Sequence, residues 1–470
     1  MDNGWIHERR GNLDPHNRAM RAKVTITIVL VFLSVIGVAI LGNTSSTATQ
    51  YRTDGIVIDF GNYNTVWTEV DFHEEDDTLS LLTIACDEDH NDYALTVDSN
   101  GNVTKINDIE NNTLSSWGLW YVEHGNLEYV KSDSSSIDAS QYEIVIWAYC
   151  ASNEEPTVAV DATGVSIYGY SQANRVVTLS PVATEIVGAM NAVSTLVGTD
   201  SYSDYPSLVE TGHNNGTIAI VGTYTDPSYE SILSASPNLV ICEGSLYNHI
   251  SVAEKMRNSN TASLALYNGD SVKSILDNIF ITGTAMGYEL RAQEVIDQIN
   301  VAMMQIESTI SGYNSEDVMI ALSDSPSPYV SGSQTYIDDI LSIINCGNSF
   351  GDLNGWTHIN SEYILQKNPS KIIIINSDSS FTTDEESYQT LLEGLSEEWK
   401  STDAYKNGEI YVLCESLGEM ASRSGPRCAQ LTELFAMILD PDAFTTELPK
   451  YIGNDYVDYL SITKNLGYGD

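Results

Sequence analysis

The chain has 470 residues, with 65 Asp or Glu against 21 Lys or Arg and a formal net charge of −44. Nucleic-acid backbones are held by clustered Lys and Arg, so a polynucleotide partner is excluded. The length calls for two or three domains, and such an acid excess suits a soluble surface protein or a salty habitat.

The first element, Val24 to Gly42, is an uncharged, mostly apolar run of 19 residues. That is long enough to span a bilayer at about 1.5 Å per residue. Arg9, Arg10, Arg18, Arg21 and Lys23 precede it against only Asp2, Glu8 and Asp14. The positive-inside rule then predicts a single-pass cell-membrane anchor over 24–42, with residues 1–23 cytoplasmic and the rest outside. A signal peptide cleaved among the small residues Ser45 to Thr49 is the alternative. No cysteine follows the run, which argues against a lipid-anchored terminus. The six cysteines all lie on the outer side, where disulfides persist. Cys86–Cys150 is the one bridge expected, and no spacing among the six reads as a zinc site.

Residues 55–151 read as a small β-rich domain. Short runs at Ile56 to Phe60, Leu79 to Ile84 and Tyr142 to Trp147 are separated by Asn, Asp and Gly clusters. The polar stretch Asn153 to Pro156 is the expected hinge. Beyond it, Val176, Val177 and Leu179 form a β-branched strand broken by Ser180 and Pro181, and a helix is expected over Thr184 to Met190. Leu196 to Gly198 is a second buried strand, completing a βαβ unit whose loops fall at the carboxyl ends of parallel strands, where such folds bind ligands. From Arg291 to Ile310, the residues Ala292, Val295, Ile296, Ile299, Met303, Ile306 and Ile310 recur at steps of three and four, one apolar helical face. Val318 to Leu322 and Ile372 to Ile375 read as strands of a second sheet, with a helix over Tyr336 to Ile344 between them.

The order of these motifs carries a resemblance. Leu179-Ser180-Pro181, Thr184-Glu185, the Tyr202 to Pro206 string YSDYP, Glu230 ahead of Ile232 and Leu233, and Pro237 to Ile241 resemble the substrate-binding proteins of ABC importers for metal chelates, most closely the cobalamin binders. Asp161 to Gly164 is similar to that family's opening DATG hairpin, and Ile359 to Leu365 with Asn368 to Ile375 repeat the logic in a second lobe. The resemblance covers residues 157–445 and implies an α/β fold: lobe 1 over 157–285, one long connecting helix over 286–312, and lobe 2 over 316–445, followed by a tail, 446–470. Such a helix restricts the lobes to small movements. Within the preceding domain, Trp117 to Val122 and the strand reaching Trp147 and Tyr149 resemble the C-terminal domain of transcobalamin-type proteins, although Glu123, His124 and Gly125 stand where that pattern has Asn-Gly.

A corrin or similar chelate is a broad, partly apolar disc that aromatic side chains can cover. Carried over position by position, the resemblance implies ligand-facing residues at Tyr202, Tyr205, Tyr224, Tyr329 and Trp356. Glu243 stands where the cobalamin binder has tryptophan, and an acid there suits either an amide of a corrinoid or a cationic chelate. Glu230 and Glu362 begin helices in equivalent places, where a helix dipole favours a carboxylate. The resemblance implies that they dock on arginines of the two permease subunits.

Other chemistries find less support. His213, His249 and His358 are isolated in sequence, without metal-ligand spacing, and only His358 lies near the expected site. Arg423 and Arg427 match a basic helix start in the second lobe; they either meet carboxylates of a siderophore or haem, or pair with the acidic surface. No Ser/His/Asp order, GxSxG, P-loop or HExxH appears, so no enzyme and no ATPase is expected. The reading is an extracytoplasmic solute-binding protein that captures cobalamin or a related corrinoid for an ABC permease dimer and its ATPase subunits. No cofactor is expected besides the transported chelate. An iron-siderophore or haem is the alternative ligand, and an adhesive or sensory surface protein the more distant reading.

Overall fold

The computed structural model describes residues 55–466, apart from 62–64, 71–76, 124–125, 131–136, 138, 140–143, 152–155, 157–159, 166, 168–172, 311–313 and 377–380. The expected anchor at 24–42 lies outside the described residues. Among the described residues no helix is long and apolar enough to cross a membrane.

The N-terminal region opens with β1 (Gly55–Asp59), β2 (Thr65–Glu69) and α1 (Thr78–Ala85). It continues through β3 (Leu95–Val97), β4 (Val103–Ile106), β5 (Ile109–Glu110), β6 (Ser115–Glu123), β7 (Asn126–Val130) and β8 (Ile144–Ala151). One sheet runs β2-β1-β8-β6-β7, and a second, antiparallel, runs β3-β4-β5. The expected strand at Leu79 to Ile84 is instead α1. Asp77 caps it through Ser80 N–H, and Thr78, Leu81, Leu82 and Ala85 form a buried stripe at helical spacing that outweighs a short alternating run.

Strand parity then decides the cysteines. Ile56, Ile58, Val145 and Trp147 face one core, together with Leu81, Leu82 and Cys86. Val57, Ile146 and Ala148 face the other side, where Cys150 packs. The expected Cys86–Cys150 bridge is therefore absent: side chains alternate along β8, and the two sulfurs belong to opposite faces of the sheet. Trp117 and Trp147 are buried with their indole N–H groups donated to the carbonyls of Ile109 and Thr78.

Lobe 1 follows with β9 (Val176–Thr178), α2 (Pro181–Ala189), β10 (Leu196–Thr199), α3 (Ser207–Asn215) and β11 (Ala219–Ile220). A hairpin of β12 (Gly222–Thr223) and β13 (Asp226–Pro227) leads to α4 (Tyr229–Ala235), β14 (Leu239–Glu243), α5 (Tyr247–Asn258) and β15 (Ala262–Leu266). The sheet β11-β10-β9-β14-β15 is parallel throughout. Its two faces are both buried: Leu239 and Ile241 point to the core under α2, Val240 and Cys242 to the core under α4 and α5. Ser180 caps α2 through Ala183 N–H, and Pro181 fills its first turn, where a missing N–H costs nothing.

Next come α6 (Val272–Met286) and α7 (Glu289–Thr309). Lobe 2 contains β16 (Asn314–Ala321), β17 (Tyr329–Ser331), α8 (Tyr336–Ile343), β18 (Cys346–Asn348), β19 (Trp356–His358), α9 (Ser361–Lys367) and β20 (Lys371–Ile375). It ends with α10 (Glu385–Gly394), α11 (Glu397–Lys400), α12 (Asp403–Lys406), β21 (Ile410–Leu413), α13 (Glu415–Met420), α14 (Cys428–Leu439), β22 (Tyr451–Ile452) and α15 (Tyr456–Tyr459). Its sheet runs β19-β17-β16-β20-β21-β22, with β18 beside β16.

The stripe on α7 is buried as the periodicity requires, from Ala292 to Ile306. It belongs to one continuous core that reaches Val176 and Ile241 in lobe 1, Ile320 and Ile373 in lobe 2, and Leu434 and Phe435 on α14. Interiors pack at crystal-like density, so two lobes sharing one core move little relative to each other.

Candidate functional site

Neighbouring parallel strands bring three chain segments to one edge of the lobe 1 sheet. Ser180 follows β9, Asp200 follows β10, and Glu243 ends β14. Asp200 organises the loop to Pro206 by accepting the Tyr202 N–H at 2.8 Å and the Ser203 hydroxyl. A chain of hydroxyls, Ser203 to Thr184 at 2.7 Å and Thr184 to Thr178 at 2.6 Å, ties that loop to α2 and β9. Gly188 is required for the same packing, since a Cβ there would stand 2.5 Å from Cδ of Pro206. Burial raises Asp200 to about 6, against the opposing hydrogen bonds of Ser203 and Tyr202.

Tyr224 sits at the turn of the β12–β13 hairpin, and His249 on α5 holds it. The His249 Nε2–H donates to the Tyr224 carbonyl at 2.6 Å, while Nδ1 accepts the Glu243 N–H at 3.1 Å. Both bonds suit the neutral ring, and burial lowers His249 to about 4. The imidazole is thus a strut between the hairpin and β14, a role that its isolation in sequence conceals. Glu243 is 8% exposed, and its Oε1 has no hydrogen-bond partner. Burial raises its carboxyl to about 7; the Asp200 charge adds to this, and a hydrogen bond from Ser180 opposes it.

Two arginines reach this loop from the segment before α14. Arg427 binds both oxygens of Glu185, Nε to Oε2 at 3.0 Å and Nη2 to Oε1 at 2.6 Å, and lies 3.9 Å from the centroid of the Tyr205 ring. Arg423 donates from Nη1 to Glu185 at 3.0 Å and Asp204 at 2.7 Å, and from Nη2 to the Tyr202 carbonyl at 3.3 Å. Of the two roles open to these arginines, the structure shows pairing with the protein's own acids. Sequence reasoning missed the role of Glu185; its place among Ala183, Ile186 and Val187 was the only signal, and the structure shows it on a helix that is almost wholly buried, where a carboxylate needs a cation.

In lobe 2, β17 and β19 pair antiparallel, with Tyr329 opposite His358 and Ser331 opposite Trp356. The Tyr329 and His358 rings lie 5.0 Å apart. Period-two alternation puts these four residues on one face of the ribbon. Of the six expected ligand-facing residues, Tyr202, Tyr205 and Tyr329 are half-buried, whereas Tyr224, Glu243 and Trp356 are buried. Among the described residues no group of three or more His, Cys, Asp or Glu is placed to hold a metal ion.

Glu230 and Glu362 are exposed in the first turns of α4 and α9. Ser228 and Asn360 cap the two helices, and Ser236 and Asn368 end them in the left-handed conformation.

The sequence signature of the family described as periplasmic binding protein matches residues 176–417. The chain is similar to an uncharacterized ABC transporter substrate-binding lipoprotein, YvrC, of Bacillus subtilis strain 168: 24% identical over 293 residues, 62% of this chain and 87% of the relative. It is also similar to a vitamin B12-binding protein of Pectobacterium carotovorum subsp. carotovorum: 22% identical over 278 residues, 56% of this chain and 91% of the relative. Among solved structures, the periplasmic heme-binding protein RhuT from Roseiflexus sp. RS-1 in apo form superposes with a TM-score of 0.47 at 19% identity, covering 58% of this chain and all of that one, 100%.

Proposed function

Since the chain belongs to the periplasmic binding protein family, we propose that it is the extracytoplasmic solute-binding protein of an ABC importer and that its ligand is cobalamin or a related corrinoid. The family is one of binding proteins, not of enzymes. The observation that supports the ligand class is that Tyr202 and Tyr205 on one lobe and Tyr329, opposite His358, on the other are half-buried aromatics in loops or strands expected to face the ligand; such rings suit a broad disc better than a compact ion. The relatives named as a substrate-binding lipoprotein and a vitamin B12-binding protein support the transporter role and the ligand.

Binding draws the two lobes slightly closer around the chelate, within the small range that the shared core permits. Glu230 and Glu362, exposed at the two lobe tips, meet arginines of the two permease subunits and set register on docking. The permease dimer and its ATPases supply the pore and the energy, and residues 24–42 hold the protein at the membrane surface. Haem is the rival ligand, because His358, exposed beside Tyr329, offers an axial nitrogen. Calorimetric titration of the full-length chain separates them. Saturable one-to-one binding of cyanocobalamin, without haemin or a ferric siderophore, is expected; binding of haemin alone overturns the corrinoid assignment.

A further inference from the structure

We infer that the site selects its chelate by charge, taking a neutral or cationic chelate rich in N–H donors and rejecting one that presents carboxylates. This deepens the reading above and rests on it for the location of the site. A carboxylate-bearing chelate needs guanidinium or ammonium groups that are free to face it, bidentate arginine being the strongest form. The chain withholds them. No Lys or Arg occurs between Arg175 and Lys255, nor between Arg291 and Lys367, and every expected ligand-facing residue lies in those two stretches.

The two arginines that do reach the Tyr202–Tyr205 loop are already committed. Arg427 spends Nε and Nη2 on Glu185 and its face on the Tyr205 ring. Arg423 spends Nη1 on Glu185 and Asp204, gives Nη2 to the Tyr202 carbonyl, and lies 3.5 Å from Glu419. Three carboxylates around two guanidinium groups leave no cationic surplus for a ligand. Close to Tyr224 stand Asp200 and Glu243, both buried and neither in an ion pair among the described residues, with Oε1 of Glu243 unpaired. Above about pH 7, where both carboxyls are ionised, their field in a low-dielectric wall repels an approaching carboxylate and favours an amide or ammonium N–H.

The test uses chelates that differ in charge. Cyanocobalamin carries amides around its corrin ring, and cobyrinic acid carries carboxylates on the same ring; haemin, a carboxylate chelate, and a cationic ferric trihydroxamate complete the set. Titration of the full-length chain at low salt should show cobyrinic acid binding at least about 100-fold more weakly than cyanocobalamin, with the gap narrowing as salt is added. Glu185→Gln, which releases guanidinium donors, should narrow it by about tenfold. If that variant fails to fold, Asp204→Asn, at an exposed position, makes the same test through Arg423. Cobyrinic acid or haemin binding as tightly as cyanocobalamin overturns the charge filter. Binding of the trihydroxamate alone removes the corrinoid assignment and leaves the filter standing. No binding by any of the four removes both.

Discussion

The two lobes repeat one local plan with different chemistry. A constant shift of 132 residues carries Tyr224 to Trp356, Glu230 to Glu362, Ile232 to Ile364, Leu233 to Leu365 and Pro237 to Pro369. Element ends obey the same shift: α4 maps onto α9 and β14 onto β20. Ile232 and Ile364 are both fully buried, and Leu233 and Leu365 are 42% and 43% exposed. What differs is the sheet edge. Glu243 maps onto Ile375, and Asp226 onto His358, so lobe 1 places a buried acid where lobe 2 has hydrocarbon. The backbone frame and the capped helix starts are held in common, while residues at the carboxyl ends of the equivalent strands diverge. Lobe 1 also receives two cations, Arg423 and Arg427, from beyond β21.

Breaking that borrowed contact should have the largest effect. Arg427→Ala leaves Glu185 buried beside Arg423 alone and should cost about 3–5 kcal/mol in urea unfolding. A loss below about 1 kcal/mol would show that the lobes do not depend on the bridge.

The acid that separates the lobes should appear in the pH dependence of stability. Glu243 at about 7 and Asp200 at about 6 lie above the usual values of unfolded carboxyls. At these two groups the folded chain holds more protons than the unfolded one, so their contribution to stability falls as pH rises from about 4 to 7 and then levels off, against the buried neutral His249, whose contribution rises between about 4 and 6.5. Glu243→Gln should remove about 3 kcal/mol of that fall. An unchanged pH profile would mean that the carboxyl finds water or another partner in solution.

Exchanging the equivalent aromatics is gentler. Trp356→Tyr opens a small void and should cost about 1–2 kcal/mol, with roughly tenfold weaker chelate binding. Tyr224→Phe keeps the ring and should change affinity less; the reverse order would place the ligand on lobe 1 alone. The smallest effect on stability, within about 0.5 kcal/mol, is expected of Glu230→Arg with Glu362→Arg. Uptake of corrinoid by cells should nevertheless fail in that double variant while binding persists, and unchanged uptake would remove the docking role.

Much of this frame could be read from the chain. The strand–helix alternation after Val176, the stripe from Ala292 to Ile306 and the repeated Glu-x-Ile-Leu turns are local patterns, written within a few residues. What escaped depends on distance or on parity. Glu185 and Arg427 are 242 positions apart, so no window contains both. Leu79 to Ile84 imitates a strand in six residues but buries at helical spacing once Thr78 and Ala85 are counted. The parity of Cys150 with Ile146 and Ala148, rather than with Trp147, was available to sequence reasoning, but the face on which Cys86 packs was not. The burial of Tyr224 and Trp356 was not, because both aromatics are covered by elements from elsewhere in the chain.

The central claim, a chelate held between the aromatic surfaces of the two lobes, is tested most directly by a crystal structure of the full-length chain with cyanocobalamin. The account predicts the corrin ring between the Tyr202–Tyr205 loop and the Tyr329–His358 ribbon, with Arg423 and Arg427 still bound to Glu185. A corrinoid on the N-terminal β sheets, or one whose arrival draws either arginine away from Glu185, would contradict it.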